Sequence, residues 1–230
     1  MTPLEGKTIV VTGASRGIGA ATAVEASRLG ATVIRLARSP MPSLAGAIDL
    51  AVDLADGHAR ADAFRAIVDR HGVPDGVVSA AGTFVVASIE ETDDATLRRQ
   101  LELNVEAAFA LARHFLPLMR ARGQGTHVLI GSVADHRAFA GNAAYAASKH
   151  AVRGMHDVLC EEFRGTGVRC TLISPGPTDT TIWDPVDPDH NPGFTPRSRM
   201  LRPADVAAAV LFALLAPPHV QLESIRLGPV

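Results

Sequence analysis

The sequence predicts an α/β fold: a doubly wound (Rossmann-like) parallel sheet of about seven strands with helices on both faces, in a three-layer α/β/α arrangement. Three observations carry this. Short β-branched apolar runs alternate with helix-patterned stretches along all 230 residues. The runs are apolar at consecutive positions, as in strands covered on both faces. A glycine-rich turn follows the first run at once.

In order, Thr8 to Val11 reads as the first strand, and Ile18 to Leu29 as a helix stopped by Gly30. Thr32 to Leu36 and Ile48 to Val52 are the next strands, Ala61 to Arg70 a helix, and Gly76 to Ser79 a fourth strand. A long helix is expected over Ala95 to Met119, with Leu97, Leu101, Val105, Ala108, Ala112 and Phe115 on its apolar face. Thr126 to Ile130, a helix over Ala143 to Arg164, and Val168 to Ile173 follow. Right-handed crossovers between such strands wind the sheet both ways. A helix over Ala204 to Leu215 and a strand near Leu222 to Leu227 close the chain.

Between them, the stretch 175–203 is rich in Pro, Asp and Thr and lacks a period. It is longer than a connection needs and leaves the carboxyl end of a strand, so it is expected to be a mobile substrate lid. Its acidic series, Asp179, Asp184, Asp187 and Asp189, followed by Arg197, Arg199 and Arg202, reads as a solvated loop. No composition break or repeat divides the chain, and one domain over 1–230 is expected.

A formal net charge of −2 offers no electrostatic footprint for nucleic acid or an anionic membrane. No apolar run reaches spanning length, and the N-terminus runs straight into a strand without a basic-then-apolar leader. Cys160 and Cys170 lack metal-ligand spacing and suit reduced thiols, so a cytoplasmic protein without a metal is expected.

The turn Thr12-Gly13-Ala14-Ser15-Arg16-Gly17-Ile18-Gly19 stands between a strand and a helix. Its glycines let backbone N–H groups approach a pyrophosphate at the helix N-terminus. Tyr145, the only tyrosine, and Lys149, one of two lysines, stand four apart in a predicted helix and share one face. A neighbouring ammonium favours the phenolate, so Tyr145 can serve as acid or base at a carbonyl. Ser132, just past the fifth strand, either caps a turn or polarises that carbonyl. Asn104, on an apolar helix stripe, either ties structure together or anchors a proton-relaying water. His136 faces substrate or packs, and Trp183 touches substrate or pins the lid. Neither Ser15 nor Ser132 has the Gly-x-Ser-x-Gly elbow of a hydrolase.

Together these residues resemble the short-chain dehydrogenase/reductase family in its compact single-domain branch, over nearly the whole chain. Asp53, Ala80-Ala81-Gly82, Asn104, Ser132, Tyr145-x-x-x-Lys149 and Pro175-Gly176 with Thr178 and Thr180 occur in the family's order. The resemblance implies an NAD(P)-dependent oxidoreductase in which Tyr145 is the acid/base, Ser132 binds the substrate oxygen and Asn104 supports a relay water. Lys149 would hold the nicotinamide ribose and lower the tyrosine pKa. Asp53 would sit at the adenine, and Thr178 and Thr180 near the carboxamide and diphosphate. It also implies a homodimer or homotetramer built through the two long helices. Ser79-Ala80-Ala81-Gly82 departs from the frequent Asn-Asn-Ala-Gly, leaving backbone contacts from Ala81 and Gly82 to the adenosine. The C-terminal segment lacks the Gly-Gly ending of the acyl-carrier-protein reductases.

The second strand ends in Ala37-Arg38-Ser39, without the acid that accepts ribose hydroxyls in NAD sites. Arg38 and Arg16 therefore point to NADP(H), with NAD(H) as the other nicotinamide that fits. The substrate would be a small carbonyl or alcohol compound. The contrasting reading, a dinucleotide-binding regulator or scaffold of the same fold, is opposed by the complete Ser132, Tyr145, Lys149 and Asn104 set.

Overall fold

The computed structural model describes residues 2–230. Strands β1 (Thr8–Thr12), β2 (Thr32–Ala37), β3 (Ile48–Ala51), β4 (Gly76–Ser79), β5 (Gly125–Ile130), β6 (Val168–Pro175) and β7 (Ser224–Leu227) form one sheet in the order β3-β2-β1-β4-β5-β6-β7. Every neighbouring pair is parallel. The helices are α1 (Gly17–Arg28), α2 (Gly57–His71), α3 (Asp94–Leu101), α4 (Ala107–Arg122), α5 (Ala143–Glu162) and α6 (Pro203–Leu215).

Alternation along β1 shows why two apolar layers form. Ile9 and Val11 join Ala23 and Ala26 of α1 and Val206 and Val210 of α6 on one face. Val10 joins Phe64 and Ile67 of α2 and Leu111 and Phe115 of α4 on the other. At roughly 1.5–3 kcal/mol for each large apolar side chain buried, these layers are the main favourable term in the fold. Not every buried strand residue is apolar, and among them is a charged one. Arg35 of β2 is buried, and its guanidinium makes two bonds of 2.7 Å to Asp49 of β3, its register partner.

The predicted helix over Ala95 to Met119 is interrupted. Residues Glu102–Glu106 form a π-helical turn between α3 and α4, and Asn104 lies at its centre. A widened turn of this kind often marks a functional site. Helix α2 starts earlier than predicted because Asp56 caps it, its carboxylate accepting the N–H groups of His58 and Ala59 at 2.8 and 3.0 Å. Both thiols are free, and burial pushes them up, Cys160 to about 11 and Cys170 to about 12. Among the described residues, no helix is long and apolar enough to cross a membrane and no cluster of ligand side chains could hold a metal.

Candidate active site

Strand order reverses about β1, so the crevice between the carboxyl ends of β1 and β4 is the topological switch point where such sheets bind ligands. A cavity of about 420 Å³ opens there, over the glycine turn. Gly13 has φ +67°, and a Cβ on it would lie 2.8 Å from Ala80 O and from Ala81 N. A Cβ on Gly19 would meet Gly13 O at 2.4 Å. The backbone therefore folds tightly on itself and leaves its N–H groups to a ligand. Thr12, unremarked in the motif, holds the two loops together: its hydroxyl donates to Val78 O and accepts the N–H groups of Ala80 and Ala81.

Ser15, Arg16, Gly17, Ile18 and Gly19 line this cavity on one side, and Arg38 and Asp53 on the other. Arg16 is exposed. Arg38 is 78% exposed and stands 3.6 Å from Asp53. An ion pair so exposed contributes about 0–1 kcal/mol, so the guanidinium is available to a stronger partner.

Ile18, Ala80, Ala81, Gly82, Thr180 and Ile182 also wall a second cavity of about 530 Å³. Ser132, Tyr145, Lys149 and Thr178 meet in it, with Pro175 and Gly176 from the end of β6. Tyr145 and Lys149 occupy successive turns of α5, and the Lys149 Nζ lies 5.7 Å from the tyrosine ring centroid. That ammonium donates to Ile130 O at 3.0 Å. Burial pulls Lys149 down to about 8, against the Asp135 charge, which raises it. Burial also pushes the Tyr145 phenol up to about 12, with the Ser132 hydroxyl opposing and Asp135 adding to the rise. Desolvation dominates at this phenol and keeps it protonated.

Ser132 caps the turn Val133–Asp135, one of the two roles open to it. Its Oγ accepts the N–H of Ala134 at 3.1 Å, which leaves the hydroxyl proton to give. The Asn104 side chain is fully hydrogen-bonded: Oδ1 accepts from Thr83 N at 2.8 Å, and Nδ2 donates to Thr83 O and Ser148 Oγ at 3.0 and 2.9 Å. It fastens the segment after β4 to α5, and both amide protons are used. Thr178 donates to Gly176 O, and Thr180 caps the turn Thr181–Trp183.

Behind Ser132 lies a carboxylate that the sequence reading did not single out. Asp135, its side chain fully buried, accepts from Arg153 Nη2 and His136 Nδ1 at 2.6 Å each, from Ser174 Oγ at 2.5 Å and from Ser132 N at 3.3 Å. Burial disfavours its charge, but these hydrogen bonds outweigh burial and hold the carboxyl below its ordinary value. The signals were local: Ser132-Val-Ala-Asp135 has capping-box spacing, and Arg153 continues the Tyr145–Lys149 face by one turn. His136 is absorbed in this network and does not line the cavity.

The acidic and basic residues of the lid stretch are solvated, as expected, but most of them are tied together. Arg197 bonds Asp179 at 2.8 Å, Asp184 at 2.7 Å and Thr180 O at 3.1 Å, with Asp189 at 3.9 Å, and Thr178 bridges Leu201. Trp183 donates its indole N–H to Thr178 O at 3.1 Å and stacks edge-on with Phe84 at 5.0 Å, so it pins the segment and walls the cavity at once.

A dinucleotide crevice joined to a cavity holding a serine, a tyrosine and a lysine is what a nicotinamide-dependent oxidoreductase requires. Residues 7–191 match the short chain dehydrogenase family. An uncharacterized oxidoreductase of Staphylococcus epidermidis is 28% identical over the full length of both chains. The glycine betaine reductase of Emericella nidulans is 31% identical over 99% of this chain, which spans 19% of that longer protein. Among solved structures, a metagenomic short-chain oxidoreductase in complex with NADP is 27% identical, with TM-score 0.83 over 100% of this chain and 99% of that one. The chain belongs to the short-chain dehydrogenase family. It is an NAD(P)-dependent dehydrogenase/reductase with a small-molecule substrate.

Proposed function

We propose that the protein is an NADP(H)-dependent carbonyl reductase, reversible to secondary-alcohol dehydrogenase, with Tyr145 as general acid/base. The observation that carries it is the convergence of Ser132, Tyr145 and Lys149 in one cavity beside the glycine turn. The turn fits a dinucleotide, because its glycines leave space where any Cβ would collide with backbone. Ser15, Arg16, Gly17 and Ile18 would hold the diphosphate, Asp53, Ala81 and Gly82 the adenosine, and Lys149 the nicotinamide ribose. Pro175, Gly176, Thr178 and Thr180 would flank the carboxamide. When bound, the cofactor supplies or accepts a hydride.

The protein's own part is the proton. Ser132 donates to the substrate oxygen, and the protonated phenol of Tyr145 gives its proton to the same oxygen as charge develops there. Asn104 keeps the Thr83 segment and α5 in register around that point. Arg16 and Arg38 line one cavity and would clasp a 2′-phosphate, each charge-assisted bond contributing about 1.5–3 kcal/mol. The stretch 175–203 acts as the lid, and the chain works as one domain.

Initial rates on simple ketones test this. Tyr145→Phe should lower turnover by ~10²–10⁴ with cofactor affinity retained; turnover within a few-fold of wild type would refute the acid role. NADPH should be preferred to NADH, and Ala37→Asp with Arg38→Leu should reverse that preference; equal efficiency in the wild type would refute the phosphate clasp. The assembly is proposed as a homodimer or homotetramer through α4 and α5, whose Phe109 and Val158 are 52% and 56% exposed. A monomer in light scattering at micromolar concentration would end that proposal.

A further inference from the structure

Resting on the reductase reading, we propose that the substrate carries a flat, unsaturated ring bonded directly to its carbonyl, and that Phe84, a residue outside the sequence motifs, selects that ring. The first support is where the Phe84 ring sits. Its centroid lies 4.7 Å from that of Tyr145 and 5.0 Å from that of Trp183, at interplanar angles of 72° and 64°. Both contacts are edge-on, so Phe84 links the tyrosine to the aromatic wall of the lid stretch. Phe194 continues that wall, 6.0 Å from Trp183, and all four side chains line the cavity. Rings tilted against one another leave edges and faces open to a further ring, and such pairs gain beyond the area they bury.

The second support is how Phe84 is held. Its neighbour Thr83 is bonded through both backbone N and O by the Asn104 side chain, at 2.8 and 3.0 Å. Thr12 ties down the start of the same segment through Ala80 and Ala81. Trp183 and Phe194 belong instead to the stretch 175–203. A wall fixed before the substrate arrives loses little freedom on binding, so it can discriminate by shape. A ring bonded to the carbonyl carbon is the part of the substrate nearest the oxygen that Tyr145 protonates, and so the part that Phe84 can meet. A saturated ring buries similar apolar area there, but it is puckered and has no π face. The carbonyl carbon of such an aryl ketone takes a hydride from NADPH and its oxygen takes the Tyr145 proton, giving a secondary benzylic alcohol and NADP⁺.

Acetophenone and cyclohexyl methyl ketone test this, since both carry a ring of the same size on the same methyl ketone. Trp183 is the only tryptophan and walls the cavity, so its fluorescence reports occupancy without turnover. The NADP⁺-loaded wild type, Phe84→Leu and Phe84→Tyr are titrated with each ketone, and NADPH-dependent reduction of both is measured. The wild type should bind acetophenone about three- to tenfold more tightly than the cyclohexyl ketone, which is what one aromatic pair contributes. Phe84→Leu keeps apolar bulk without a π face and should bring that ratio close to one. Phe84→Tyr keeps the ring and should keep the ratio. A wild-type ratio near one, a ratio that survives Phe84→Leu, or one that Phe84→Tyr also abolishes overturns the proposal. So does a Phe84→Leu loss that falls equally on both ketones, which would leave Phe84 as a prop for Trp183. Ring selection seen in the titrations with no NADPH oxidised by either ketone supports the selectivity and instead overturns the reductase reading.

Discussion

At the dinucleotide end of the cleft the walls are mostly backbone and small residues: the turn around Gly13 and Gly19, and the loop Ala80–Gly82 that Thr12 ties to it. At the substrate end they are side chains drawn from separate segments: Phe84 after β4, Ser132 after β5, Asn142 just before α5 and Tyr145 in its first turn, Trp183 and Phe194 from the lid stretch. A backbone site is specified by which residues lack a Cβ. A side-chain site is specified by what holds each side chain in place, and here Asp135 does much of that, joining the ends of β5 and β6 to α5.

The largest effect should come from Asp135→Asn. It leaves the Arg153 guanidinium, 21% exposed, without its carboxylate, and breaking such a pair typically costs about 3 kcal/mol or more. A fall in thermal midpoint should come with a change in pH profile. Because the Asp135 charge raises the pKa of Lys149, its removal should drop Lys149 further below about 8. The charged ammonium stabilises negative charge developing beside Tyr145 better than the neutral amine does, so reductive activity in the wild type should decline as pH rises through about 8, and in the variant at lower pH. An unmoved alkaline limb would limit Asp135 to a purely structural part.

Gly19→Ala breaks the other end. Its Cβ would meet Gly13 O at 2.4 Å, so the turn must shift, at a cost of about 1–3 kcal/mol. The strain falls where N–H groups must converge on a diphosphate. Calorimetry should therefore show NADPH binding weakened by ~10-fold or more, with Trp183 quenching by a ketone changed far less. Equal losses at both ends would mean that the two halves of the cleft are not separable.

The same contrast explains what the sequence made legible. A glycine turn after a strand, the alternation of strands and helices, and Tyr145 one helical turn from Lys149 are local patterns, and the seven parallel strands follow from them. The break in the long helix was not legible, because the apolar stripe from Leu97 to Phe115 continues through the π turn. What sets that turn apart is Asn104 bonding to Thr83 and Ser148, 21 and 44 residues away. Arg35 escaped in the same way, since its partner Asp49 is reached only through strand register. Phe84 has no sequence signature at all; only the packing shows that its ring meets both Tyr145 and Trp183.

The smallest effect should come from the lid stretch, where side chains again do the holding but in the open. Arg197 is 26% exposed, while Asp179 and Asp184 are 45% and 61% exposed. Solvent screens pairs like these, so their removal should barely alter global stability. What Arg197 does is gather residues 179, 184 and 189 around one guanidinium, which keeps Trp183 against Phe84. Arg197→Ala should therefore loosen the segment without unfolding the sheet. Limited proteolysis within 175–203 should quicken, and cofactor with ketone should slow it again. KM for the ketone should rise by roughly two- to fivefold while NADPH affinity holds, because the segment borders the substrate end more than the turn. If proteolysis is no faster in the variant, the aromatic stack of Trp183 alone holds the segment shut, and the stretch is a fixed wall instead of a lid.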